Sequence, residues 1–320
     1  MDLQSPVPFV PQWQIHDATK LQCFMSCPRR YFYEHVLGWR SDRPSIHLIY
    51  GSAVHTALEH LLLNGHTEGA IPGAFQAFLT EYRKVFSPED DLAQAPKDPA
   101  TFLSLLIQYV DAHPEYAELE VVRPEIVGTV PIAEGRVLHF KMDAIVRHKG
   151  RIFSFEHKTV GRLDKNWTAQ WQTSTQISVY LHALYCLFDP SDVDGVLVNA
   201  LSPQKKESKL QQILVRKTFS MMEAWLSDVN YWHDLIDASF VELSSATADD
   251  RYLAAFPRND RSCGDYGGCP WLDFCSAWSN PLRRADEPPS GFHTEHWDPR
   301  SKLSQGDELV ELRPAYLDIK

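Results

Sequence analysis

Residues 140–159, FKMDAIVRHKGRIFSFEHKT, carry the pattern that decides the fold. Two apolar, strand-like runs flank Lys149-Gly150, where glycine can supply the positive φ of a tight turn. A hairpin centred there sets Asp143 directly opposite Glu156. Cross-strand neighbours share a face, and so does Lys158, two residues past Glu156. The register therefore gathers two carboxylates and one ammonium, while strand alternation turns the His157 side chain to the opposite face. Directly opposed carboxylates destabilise a sheet unless something offsets them. A divalent cation would do so, because Mg²⁺ and Mn²⁺ favour carboxylate oxygens. A nearby lysine could then stabilise developing charge at a phosphate. The pattern D-x₁₂-E-x-K is short, however, and a surface sheet whose Glu and Lys merely pair produces it too.

Working outward, texture changes along the chain. Residues 1–16 are extended and Pro-rich. Residues 17–118 are helical, with Asp17 as N-cap of a helix running to about Leu37 and Gly38 as its stop. Gly51-Ser52 opens a second helix whose Val54, Leu58, Leu61 and Leu62 form an apolar stripe. Residues 119–245 are rich in strands, among them 136–147 as one run, with helices over TSTQISVYLHALYCLF and SMMEAWLSDVNYWHDLIDASF. Residues 246–280 hold a cysteine loop, and 281–320 form a polar arm expected to be partly flexible. This order indicates a mixed α/β or α+β fold with a central sheet flanked by helices.

Composition narrows the classes. The chain has 320 residues, 44% of them hydrophobic, enough for a large core in two domains or in one with insertions. A net charge of −11 opposes non-specific attraction to nucleic acid, so any such surface must be local. No apolar run approaches the ~18–20 residues that span a bilayer. The N-terminus lacks a basic region followed by an apolar stretch. The expectation is a protein without a membrane partner, located in the cytoplasm of a bacterial cell or a virus-infected host.

Other residues invite roles. His55 lies beside the leucine stripe, although a lone helical histidine is ordinarily structural. Gln176 and Tyr180, four apart, project from one helix face. Arg29 and Arg30 stand in an aromatic run, CPRRYFYEH, where they could meet phosphate and the aromatics could pack or stack. Cys263, Cys269 and Cys275 form C-x₅-C-x₅-C in a glycine-containing loop. Three thiolates so close imply a bound metal with a fourth ligand, for which Cys23, Cys27 and Cys186 are candidates. Spacing alone does not separate zinc from a [4Fe–4S] cluster.

In order along the chain, CPRRYFYEHVLG, GSAVHTALE, MDAIV, FEHKT, QISVY and the cysteine triplet resemble the RecB-like branch of the PD-(D/E)XK nuclease superfamily. The likeness is to its iron–sulfur members, the AddB-type nuclease domains and CRISPR-associated RecB-like exonucleases. The resemblance implies a restriction-endonuclease-like core whose N- and C-terminal segments are clamped by a metal cluster. It implies Mg²⁺ or Mn²⁺ on His55, Asp143, Glu156 and the backbone carbonyl of His157, with Lys158 as catalytic lysine. Gln176 and Tyr180 match the Q-x₃-Y motif. Cys27, Cys263, Cys269 and Cys275 match the cluster ligands, although the familiar spacing is C-x₂-C-x₅-C, which keeps zinc open. The expected activity is a DNA exonuclease on single strands or duplex ends, in recombination, repair or spacer processing. Arg29, Arg30 and Lys165 are candidate DNA contacts, with Lys141, Arg147, Lys149 and Arg162 beside them. The alternative is a non-catalytic DNA-end-binding module that assembles with recombination or spacer-acquisition proteins.

Overall fold

The computed structural model describes residues 5–265, 268–298 and 309–313. The chain opens with helices α1 (Ala18–Ser26) and α2 (Pro28–Tyr31), a π-helical turn at Phe32–Val36, and strand β1 (Trp39–Ser41). Asp17 caps α1 by accepting from the Lys20 N–H at 2.7 Å. The single helix expected to Leu37 is instead broken at Cys27, whose backbone is extended (φ −161°, ψ 107°). Pro28 is the cause: its ring disfavours helical geometry in the preceding residue, yet it suits the first position of α2. Gly38 does end the helical segment, at φ +69°, where a Cβ would also lie 2.7 Å from the His296 ring.

Helices α3 (Ile46–Asn64), α4 (Ile71–Tyr82), α5 (Asp91–Gln94) and α6 (Pro99–Ala112) follow. Helix α3 begins well before Gly51, with Ser45 as its N-cap. Val54, Leu58 and Leu61 are buried as their spacing requires, each contributing on the order of 1.5–3 kcal/mol by leaving water. They pack with Phe78, Phe102 and Leu105 into a helical core over one face of the main sheet.

That sheet is built from β2 (Glu120–Arg123), β5 (Ala144–His148), β6 (Arg151–Thr159), β7 (Val193–Ser202) and β8 (Lys209–Val215), in the order β2-β5-β6-β7-β8. A second sheet holds β3 (Ile126–Ala133) and β4 (Arg136–Met142). Strands β6 and β7 run parallel, joined through α7 (Lys165–Ala169) and α8 (Thr175–Leu187), while the other pairs of the main sheet are antiparallel. Helix α9 (Phe219–Ser244) follows β8, and Ile177, Leu181, Met222 and Ile236 line the second core. The architecture is thus a mixed α/β fold with a central mixed sheet between helical layers.

The hairpin forms at Lys149-Gly150, both at positive φ (49° and 80°), and its register pairs Ala144 with Phe155 and His148 with Arg151. The run 136–147 is not one strand, however. It bends at Asp143, where the chain passes from the second sheet to the first.

Helix α10 (Leu272–Ala277) lies in the cysteine segment, and β9 (Phe292–Thr294) and β10 (Val310–Glu311) lie in the arm. Two short strands of the arm pair with earlier ones: β9 with β1, and β10 with β3 in parallel. The rest of the arm lies outside the described residues. Among the described residues no helix is long and apolar enough to cross a membrane.

Candidate active site

The ends of β4 and β6, the middle of α3 and the first turns of α8 meet around Asp143. The β5–β6 ladder stops one residue short of it, so Asp143 is not a regular cross-strand partner of Glu156. Its carboxylate takes over the next rung: Oδ2 accepts the His157 backbone N–H at 2.8 Å. Its Oδ1 lies 3.0 Å from His55 Nδ1. The His157 ring does occupy the opposite face of β6 from Glu156. It is not remote from the cluster, as alternation suggested, because the bend lets Asp143 reach that face. His157 Nδ1 lies 3.3 Å from Asp143 Oδ2, and its Nε2 lies 3.2 Å from the Tyr109 hydroxyl of α6.

On the other face, Lys158 pairs closely with Glu156 and donates to Gln176 Oε1 at 3.0 Å. The Gln176 amide donates to Glu156 Oε1 at 3.2 Å and to the Tyr180 hydroxyl at 2.8 Å, and Tyr180 donates to the Lys141 carbonyl. Gln176 and Tyr180 therefore brace the acid and the lysine. Lys158 also lies 6.0 Å from the Trp171 ring centre.

Electrostatics divides the two acids. Burial would raise Asp143, but His55 and His157 overcome it and hold the carboxyl well below its usual range. Glu156, 2% exposed, is lifted by burial against the pull of Lys158, and the charge of Asp143 adds to the lift. Burial disfavours the Lys158 ammonium, yet Glu156 more than offsets it and keeps the lysine protonated. His55 is likewise raised, with Asp143 outweighing desolvation. A buried carboxylate at Glu156 and a half-buried one at Asp143, beside an imidazole, form a donor set suited to a hard divalent cation.

The cysteines converge as well. Cys27, Cys263, Cys269 and Cys275 line one cavity of about 170 Å³, whereas Cys186 is not part of it. Asn259 N–H approaches Cys27 Sγ at 3.5 Å, Ser262 donates to the Ser26 carbonyl at 3.2 Å, and the Cys269 N–H donates to the Cys263 carbonyl at 2.8 Å. Burial raises the Cys269 and Cys275 thiols, and the charges of Cys27 and Cys263 push the same way. Four thiol side chains lining one cavity are a donor set that fits a thiolate-bound metal centre.

Arg29 is not placed to meet phosphate. It is 2% exposed, and it donates through Nε to Phe256 O at 3.0 Å and through Nη2 to Leu253 O at 2.8 Å. Tyr31, Phe32 and Tyr33 are fully buried and pack within the core, so they present no stacking surface. Arg30 is half-exposed and pairs with Glu34 at 2.8 Å. Lys165 is exposed at the start of α7. Lys141 pairs with Glu125, Arg147 with Glu120, and Arg162 with Asp164. Sequence reasoning missed Tyr109 and Trp171, and neither belongs to a local pattern that could have announced it.

A strand-borne acid and lysine, a second acid at a sheet junction and a helical histidine thus meet in one cluster. The PD-(D/E)XK nuclease superfamily pattern matches residues 18–276, and the chain belongs to that superfamily. Its central mixed sheet and flanking helices are the corresponding restriction-endonuclease-like fold. Nucleases of this superfamily generally use divalent metals such as Mg²⁺ or Mn²⁺. Among solved structures, the chain is similar to one described as "Putative exonuclease" from Eubacterium rectale. The identity is 12% and the TM-score 0.48, over 74% of this chain and 87% of that one. It is also similar to SSO0001, at 16% identity and TM-score 0.30, over 70% of this chain and 78% of that one. No curated protein sequence matches significantly.

Proposed function

We propose that the chain is a Mg²⁺- or Mn²⁺-dependent deoxyribonuclease, acting as an exonuclease on single-stranded DNA or duplex ends. The observation that carries this reading is the convergence of His55, Asp143, Glu156 and Lys158, with Gln176 bridging acid and lysine. His55, Asp143, Glu156 and the His157 carbonyl are the proposed metal ligands. The cation would supply Lewis-acid polarisation of the scissile phosphate and of an attacking water. Lys158, held by Glu156 and Gln176, acts as an electrostatic donor to the phosphate. Gln176 and Tyr180 fix its position. Lys165, exposed and free of the structural duty that occupies Arg29, is the proposed backbone contact, with Arg30 secondary.

The four-cysteine cavity is proposed to hold a [4Fe–4S] cluster that clamps residues near 27 to those near 263–275. A single zinc, with Zn–S about 2.3 Å, would need only a small space between its thiolates. The four cysteines share the lining of their 170 Å³ cavity with Arg29, Tyr33, Trp271 and other side chains, and a cavity of that size favours a larger centre. A place in recombination, repair or spacer processing belongs to the same proposal.

The test is cleavage of 5′- and 3′-labelled single- and double-stranded DNA with Mg²⁺, Mn²⁺ or chelator, for wild type and Asp143→Asn. Metal-dependent shortening from one end, absent in Asp143→Asn, is expected. Binding to DNA ends without cleavage under any metal would favour the non-catalytic module instead.

A further inference from the structure

Beyond the catalytic cluster and the four-cysteine cavity stands a third set of ligating groups that neither uses. The Cys23 thiol, the Glu34 carboxylate and a ring nitrogen of His35 offer atoms that all lie within 4.8 Å of one another. Among the described residues this is the one group of its kind. We infer that Cys23, Glu34 and His35 form a separate binding site for Zn²⁺ or a divalent ion of similar borderline character.

Three observations aim these side chains at one point. Glu34 and His35 are consecutive, and in an α-helix consecutive residues diverge by about 100°. Here they sit on the π-helical turn Phe32–Val36, a local widening often found at functional sites, and both reach Cys23 on α1. Glu34 is pre-positioned through one oxygen: Oε1 accepts from Arg30 Nε and from Trp271 Nε1, each at 2.8 Å. Its other oxygen, Oε2, is left facing Cys23 Sγ at 3.7 Å. His35 is only 8% exposed, and its Nδ1 has no hydrogen-bond partner. A buried imidazole nitrogen without a partner is costly unless something engages it.

The donor chemistry selects the ion. One thiolate, one carboxylate and one neutral imidazole balance a +2 charge, and zinc accepts all three ligand types. Magnesium and calcium want oxygen alone. Tetrahedral ligands at zinc's bonding distances of about 2.0–2.3 Å stand roughly 3.3–3.8 Å apart, so atoms that now lie within 4.8 Å of one another have a short distance left to close. Arg30 and Trp271 also line the four-cysteine cavity, so the two centres would share supporting residues without sharing ligands.

The test counts metals in the full-length chain, purified anaerobically and equilibrated with excess Zn²⁺ before desalting. Zinc and iron per chain are measured by mass spectrometry for wild type, Cys23→Ser, His35→Gln and the control Cys186→Ser. The expected result is one zinc fewer in Cys23→Ser and in His35→Gln than in wild type and the control, with iron unchanged. Should Cys23→Ser fail to fold, His35→Gln, which keeps a polar side chain of similar size, carries the comparison. Equal zinc in wild type and the folded variants overturns the inference. Absence of iron from wild type reports on the cluster instead and leaves the zinc difference readable.

Discussion

Asp143 and His157 hold each other twice: Asp143 Oδ2 accepts the His157 backbone N–H at 2.8 Å and lies 3.3 Å from the ring Nδ1. The first contact belongs to the backbone and survives any substitution at 157 but proline, whereas the second does not. His157→Ala should therefore preserve the strand and loosen one side of the Asp143 carboxylate. Groups that orient metal ligands typically matter about 10–100-fold in metal affinity or activity. The expected signature is a rightward shift in the Mg²⁺ or Mn²⁺ dependence of cleavage, by roughly 10-fold, recovered in part at high metal. Tyr109→Phe, one contact further out, should shift less. A rate loss in His157→Ala that no metal concentration relieves would remove this role.

Lys158→Ala removes the ammonium but leaves Asp143, Glu156 and His55 in place. Losing a charge donor aimed at a transition state costs about 10²–10³-fold in turnover. Metal binding should persist, because no ligand is lost. Gln176→Ala should behave as a weaker copy, since Gln176 touches both Lys158 and Glu156 but carries no charge. Single-turnover cleavage, together with Mn²⁺ titration, separates these outcomes from a ligand defect.

Arg29 and Arg30 are adjacent, and their substitution should give opposite results. Arg29→Ala leaves the carbonyls of Leu253 and Phe256 without their donor inside the core. Hydrogen bonds from charged groups contribute about 1.5–3 kcal/mol each, so a loss on the order of 3 kcal/mol or more is expected in urea unfolding. Arg30→Ala breaks a half-exposed pair with Glu34, worth no more than about 1 kcal/mol. DNA affinity per folded molecule should be unchanged by the first substitution.

These cases show where the sequence was readable. The hairpin register was legible because Lys149-Gly150 is a local turn, and a two-residue loop admits one pairing. The face of His157 was legible too, from alternation alone. Its contact with Asp143 was not, because it depends on a bend between two sheets that share no local signal. Cys27 as a helix break could have been read from Pro28. The separate fates of Arg29 and Arg30 could not, since both sit in one basic step and only the loop at Leu253–Pro257 decides which is buried. The convergence of Cys27 with Cys263, Cys269 and Cys275 spans most of the chain, and family likeness anticipated it where spacing left three candidates.

Acid should destabilise the fold through buried neutral histidines, with His182 the clearest case. Burial lowers His182 from 6.5 to about 4, against the opposing effect of its contact with the Pro131 carbonyl at 2.7 Å. His66 and His233 are lowered to about 4 as well, burial being the main cause in each. Below pH 6.5 the unfolded chain takes up protons that the folded chain refuses, so stability falls as pH drops towards 4 and then levels. Each such histidine contributes at most about 3 kcal/mol over that window, with a slope near 1.4 kcal/mol per pH unit. Urea unfolding between pH 7 and 4.5 should show the decline, and His182→Gln, which retains a donor for Pro131, should reduce its slope by about one proton. An unchanged slope in that variant would mean that His182 titrates alike in both states, and that the Pro131 contact offsets the cost of burial.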